Sequence, residues 1–191
     1  MRVYLAGPDV FLPDAPARAA ALKAICARHG LIGVSPLDTP SDIPPAWRML
    51  PEARFIALCN EAHIRACDAV IANLTPFRGP SADVGTVFEI GFMRALGRPV
   101  FGWSNHAADF FTRTSAFAGS VTADAAGMWR DGEGMLLEAF GLHDNLMIDG
   151  AIQASGGRIF IADVPAERRW IDLAAFESCV RALQPGAGSR A

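Results

Sequence analysis

"DAVIANLTPFRGPSADVGTVFEIGFMRALGRPVFGW", residues 68–103, is the stretch whose structure is most legible from sequence. Residues 68–74 are nearly all apolar, as suits a strand buried on both faces of a sheet. The Gly/Pro-rich run 76–82 reads as a loop. Asp83 opens a helix that runs to about Leu96, where Gly97 and Pro99 stop it. Residues 98–103 form the next strand. Strand, crossover helix and strand predict a parallel βαβ unit.

Working outward, residues 2–7 form a short apolar strand ended by Gly-Pro, and 15–29 form an Ala-rich helix stopped by Gly30. Residues 31–36 are a strand. Residues 37–51 hold four of the thirteen prolines and are expected to be a long surface loop. Residues 52–67 are a helix. The order β-α-β-α-β-α-β predicts an α/β fold, a doubly wound parallel sheet with helices on both faces. Beyond 104 the pattern weakens. Residues 104–130 look irregular with room for a short helix, 133–141 and 145–155 are expected to be helical, 158–162 a strand, and 171–183 a final amphipathic helix. At 191 residues a single domain is expected, 1–184, followed by a small polar tail at 185–191 expected to be disordered.

Net charge is −3 and no long basic run appears, so no nucleic-acid partner is implied. No apolar run reaches membrane-spanning length, and the first residues lack a signal peptide's apolar core. The four cysteines, Cys26, Cys59, Cys67 and Cys179, form no C-x-x-C pair and suit reduced thiols, hence a cytoplasmic protein.

In an open parallel sheet, ligands bind at the carboxyl ends of the strands. The loops expected there are 7–14, 35–50, 74–82 and the segment after 104. Neither G-x-G-x-x-G nor a P-loop is present, and His29, His63, His106 and His143 have no metal-ligand spacing. Glu89 is the one charged residue between Val84 and Met93. Burying it is costly unless something holds it or uses it. Four residues earlier, on the same helix face, Gly85 leaves open space in front of the carboxylate. The helix N-terminus favours an anion there, so Glu89 is expected to be sheltered yet ionised, as a nucleophile must be. The plainer alternative is an ion pair with Arg94 or Arg98. Asp83 either turns into this pocket or simply caps residues 85–86. Tyr4, the sole tyrosine, lies on the first strand beside the pocket. It either donates to the carboxylate or is a core aromatic satisfied by backbone. Asn60 and His63 share a helix face from which both could reach the pocket; Asn60 is expected to bind substrate and His63 to lie on a solvated face.

The stretches "VYLAGPDVF", "CDAVIANLTPFRGPSADVGTVFEIGFMRALGRPV" and "DNLMI" (144–148) together resemble the nucleoside 2-deoxyribosyltransferase family. The resemblance spans most of residues 1–150 and is most specific in the Asp-(x5)-Glu spacing of the middle block. It implies a flavodoxin-like or Rossmann-like domain that moves 2-deoxyribose between a deoxynucleoside and a free nucleobase. Glu89 matches the family nucleophile, Tyr4 the tyrosine that orients it, and Asp83 an aspartate that contacts the base and helps protonate it. Gly7, Pro8, Asp9, Phe11, Gly79, Pro80, Ser81 and Gly85 fall in matching substrate-binding stretches. Asn145 and Met147 match residues that reach into a neighbouring subunit's site, which implies a homo-oligomer. No metal or organic cofactor is implied. Asn60 stands where better-known members carry aspartate, so leaving-base protonation would rest more on Asp83. The rival activity is hydrolysis of deoxynucleosides or their 5′-monophosphates; two aspartates and no arginine in "GPDVFLPD" argue against a phosphate there. A rival of another class is a non-catalytic nucleoside-sensing module.

Overall fold

The computed structural model describes residues 1–184. The expected tail, 185–191, lies outside the described residues. Five parallel strands form the sheet: β1 (Arg2–Ala6), β2 (Ile32–Val34), β3 (Ala69–Asn73), β4 (Val100–Ser104) and β7 (Ile159–Ile161). Their order is β2-β1-β3-β4-β7, the flavodoxin-like arrangement, in which the winding direction reverses between β1 and β3. Tyr4 pairs with Val34 on one side and Val70 on the other, so it sits centrally.

Alternation along these strands builds two cores. Val3, Leu5, Ile71, Phe101 and Trp103 point toward α1 (Ala15–Arg28) and α6 (Ala174–Ala182), meeting Leu22, Ile25 and Phe176. Tyr4, Ala6, Val70, Ala72 and Val100 point the other way. They meet α2 (Glu52–Ala66), α3 (Val84–Ala95) and α5 (Leu146–Ala154) through Ile64, Ile90, Met93, Ile148 and Ile152. Tyr4 is therefore a polar-tipped residue on an otherwise apolar face, aimed at α3.

The segment after β4 departs from expectation. Residues 104–130 contain α4 (Phe110–Ala118), which fills the short helix anticipated there. An antiparallel hairpin follows, β5 (Val121–Ala123) with β6 (Trp129–Asp131), its second strand ending one residue past that segment. Residues 133–141 are not helical. Asp131 accepts hydrogen bonds from the amides of Glu133 and Met135, making a tight turn, and Leu137 donates to the Trp129 carbonyl. The Asp-Gly turn chemistry outweighs the helical-looking run of Met135, Leu136 and Leu137, of which only Leu137 is buried. The last helix begins at Ala174, three residues later than its apolar pattern suggests.

Candidate active site

β1 and β3 carry the site, because the chain winds away from their shared carboxyl ends in opposite directions and leaves a crevice. Gly7 follows β1 at a point of close approach. A Cβ there would lie 2.7 Å from both the Asn73 Cβ and an Asp9 carboxylate oxygen. The 3-10 turn Pro8–Phe11 places Asp9 inward and Phe11 outward. Asp9 accepts from Arg18 Nε at 2.7 Å and from Asn73 Nδ2 at 2.8 Å. Its charge is thus matched, which removes one of the two carboxylates expected to repel a phosphate.

On the opposite wall, Asp83 caps α3, accepting from the Thr86 amide at 3.0 Å and its hydroxyl at 3.2 Å. This is the expected capping geometry. A turn and a half further on stands Glu89. The Tyr4 hydroxyl donates to Glu89 Oε1 at 2.6 Å, from a ring with no solvent exposure. Among the described residues Oε1 has that one donor and Oε2 has none. Neither Arg94 nor Arg98 pairs with it; Arg98 donates instead to the carbonyls of Ile64, Arg65 and Cys67. Above Gly85 the space is open apart from an Asp83 carboxylate oxygen, 3.1 Å from where a Cβ would sit.

The electrostatics correct one expectation. Burial pushes the Glu89 carboxyl up to about 7; the Tyr4 hydrogen bond opposes this and the charge of Asp83 adds to it. The carboxylate is therefore poised near neutrality rather than fully ionised, because desolvation outweighs the helix field. Burial, followed by the charge and hydrogen bond of Glu89, raises the Tyr4 phenol far above its ordinary value, so it remains an O–H donor.

Around the mouth, Phe11 stacks on Phe77 with centroids 5.4 Å apart, and Trp170 meets Phe77 edge-on. The Arg78 guanidinium lies 5.1 Å from the Phe11 centroid and 4.6 Å from that of Phe77. Arg78 has φ +55°, the one positive value at a non-glycine among the described residues. Sequence reasoning marked Gly79, Pro80 and Ser81 in this loop but passed over Phe77 and Arg78, although "PFR" was in plain view. Pro80 and Ser81 are tied from behind, by Arg113 and Asp144 respectively.

Asn60 is half-buried, and its Oδ1 has no partner among the described residues. His63 is not on a solvated face. It is 4 % exposed, with Nε2 2.8 Å from the Asp38 carbonyl, because the proline-rich loop folds over α2 there. Asn145 caps α5 through the Met147 amide and donates to Glu138. Together with the exposed Met147 it lines a groove of about 610 Å³ bounded by Val84, Val87 and Gly91 of α3. Glu89 lies on the other face of that helix, so one chain does not bring Asn145 and Met147 to its own Glu89.

A family model described as nucleoside 2-deoxyribosyltransferase matches residues 3–147. The chain belongs to that family. An uncharacterised protein of Schizosaccharomyces pombe is 31 % identical over 169 residues, covering 83 % of this chain and 80 % of its own length. A solved structure of a 2-deoxyribosyltransferase from Leishmania mexicana superposes with a TM-score of 0.61 at 31 % identity. The match covers 94 % of this chain and 97 % of that one. A conserved protein of Enterococcus faecalis shares the fold, with a TM-score of 0.53 at 21 % identity over 95 % of this chain and 97 % of its own. The family match contains Tyr4, Asp83, Glu89, Asn145 and Met147.

Proposed function

We propose that this protein transfers 2-deoxyribose between nucleobases by double displacement, with Glu89 as nucleophile. The observation that carries the proposal is the Tyr4–Glu89 contact: a half-buried carboxylate with one oxygen held by a phenol and the other unpartnered among the described residues. The unpartnered oxygen attacks the anomeric carbon while the bond to the departing base nitrogen breaks. The electron pair leaves with the base, and Asp83 delivers the proton, which the two neighbouring carboxyls hold between them and which sits on Asp83 when Glu89 attacks as the carboxylate. The resulting deoxyribosyl ester is attacked by the nitrogen of a second base, which loses its proton to Asp83 and returns Glu89 as a carboxylate. Two inversions retain the β configuration. Tyr4 stabilises the ionised form between turnovers and fixes which oxygen attacks. Phe11, Phe77 and Arg78 supply flat surfaces suited to stacking a base.

The groove between α3 and α5 is read as the seat of a second copy, whose Asn145 and Met147 complete a neighbouring site. Its walls are apolar, and Val84 and Met147 are 84 % and 71 % exposed in the isolated chain. Four free, buried thiols suit salvage chemistry in a reducing cytoplasm.

The test is incubation with 2′-deoxyinosine or thymidine, with and without free adenine, products being separated by chromatography. Formation of 2′-deoxyadenosine that requires both adenine and Glu89 supports the transferase. Free base released equally fast without adenine indicates a hydrolase, and binding without turnover a sensing module.

A further inference from the structure

Residues 80–82 lead directly into Asp83, yet they belong to no regular element. What holds them is a buried polar hub contributed by two distant parts of the chain. Asp144, with no solvent exposure, accepts from Ser81 Oγ at 2.5 Å, from the Ala82 amide at 3.0 Å and from the Asn145 amide at 2.8 Å. Arg113 of α4, 7 % exposed, donates to the carbonyls of Pro80, Ala108 and His143 at 2.5–2.7 Å, and reaches Asp144 Oδ2 at 3.4 Å. Asp149 accepts from the His143 and Asp144 amides, fixing the hub to α5.

We propose that Asp144, braced by Arg113, is a positioning residue for proton delivery to the leaving base. Resting on the reaction set out above, it works by fixing the backbone on which Asp83 turns. The cap bond to Thr86 restrains one Asp83 oxygen. The direction of the carboxylate as a whole depends on the chain entering from Ala82, which would otherwise swing. Charge-assisted hydrogen bonds in a water-free setting are strong enough to suppress that swing. Four donors converge on Asp144, a demand that a carboxylate meets and an amide does not, since half of an amide's polar atoms are donors. Asn145 follows Asp144 directly, so the same carboxylate also sets the start of α5.

The variant to make is Asp144→Asn, with Arg113→Lys as a second in case the first fails to fold. Lysine keeps the charge but loses the fork that reaches three carbonyls. Two substrates separate positioning from general damage. With 2′-deoxyinosine the base must be protonated to leave; with 7-methyl-2′-deoxyguanosine the base is already cationic and leaves without a proton. We expect kcat/KM for 2′-deoxyinosine to fall ~30–100-fold, up to the lower end of what general acid catalysis contributes because Asp83 is misdirected rather than removed, and that for the methylated substrate to fall less than ~3-fold. Equal losses on both substrates, or none, would overturn the inference. If the unaltered protein cleaves neither substrate, it is the proposed reaction that fails. Amide hydrogen exchange then decides the positioning role. The variant should exchange faster over residues 80–86, with 69–73 unchanged, and unaltered exchange at 80–86 would sink it.

Discussion

Asp9 and Glu89 are two carboxylates at the same end of the sheet, both largely withdrawn from water, and their surroundings treat them oppositely. Asp9 is matched by a buried guanidinium and an amide donor, one to each oxygen. Glu89 has one neutral donor on one oxygen, and burial raises its carboxyl to about 7. A saturated carboxylate organises structure: Asp9 ties the first loop to α1 and β3. An under-satisfied one stores reactivity, because its lone pairs remain available and its desolvation favours bond formation to carbon. Substitutions at the two positions should therefore separate function from stability.

The sharpest break of the comparison is Glu89→Ala. If Glu89 is the nucleophile proposed, turnover of deoxynucleosides should fall by at least ~10⁴-fold, with an unchanged circular dichroism spectrum. Substantial residual transfer would end the distinction between the two carboxylates. Asp9→Ala should act on stability instead. It leaves Arg18, 6 % exposed, without its counter-ion, and should cost about 3–5 kcal/mol in urea unfolding.

Glu89→Gln sharpens the contrast further. A carboxyl whose folded value is raised above its ordinary 4.5 contributes stability that is complete at acid pH and is lost as pH rises through about 7. The glutamine variant cannot ionise. Its stability relative to the unaltered protein should thus increase by about 1–3 kcal/mol between pH 4.5 and pH 8, by chemical denaturation at each pH. The same titration governs the acid limb of activity, with kcat/KM rising with pH as Glu89 ionises, peaking near 7 and falling at higher pH, where the proton that Asp83 must deliver is lost. Tyr4→Phe should have the smallest effect, a loss of about tenfold in kcat/KM. It also removes the one hydrogen bond that lowers the Glu89 carboxyl, so the rising limb of the pH profile should move to higher pH. A limb that stays in place would show that the phenol does not tune the nucleophile.

The elements that sequence displayed clearly are those with strong periodicity or complete apolar character. β3, α3 and β4 appear within two residues of expectation because an all-apolar strand and a capped, glycine-stopped helix have few alternatives. The hairpin β5–β6 escaped because its strands are three residues long and its information lies in side chain-to-backbone bonds of Asp124 and Asp131, which have no period. His63 was placed outside because helix spacing shows which residues share a face but not that a proline-rich loop covers that face.

By itself the sequence determined the doubly wound sheet, the capped helix that carries Asp83 and Glu89, and the family. Each is written in local pattern: short, nearly all-apolar runs for the strands, caps and stops at helix ends, and one spacing of two carboxylates. Only the tertiary structure decided which oxygen of Glu89 is held, that Asp9 is neutralised by Arg18, and that Arg113 and Asp144 grip the loop before Asp83. Those contacts join residues 9 to 85 positions apart in the chain. No local preference fixes them. They follow from the sheet order, which brings β1 beside β3, and from the return of the chain after β4 to pack α4 and α5 behind the site.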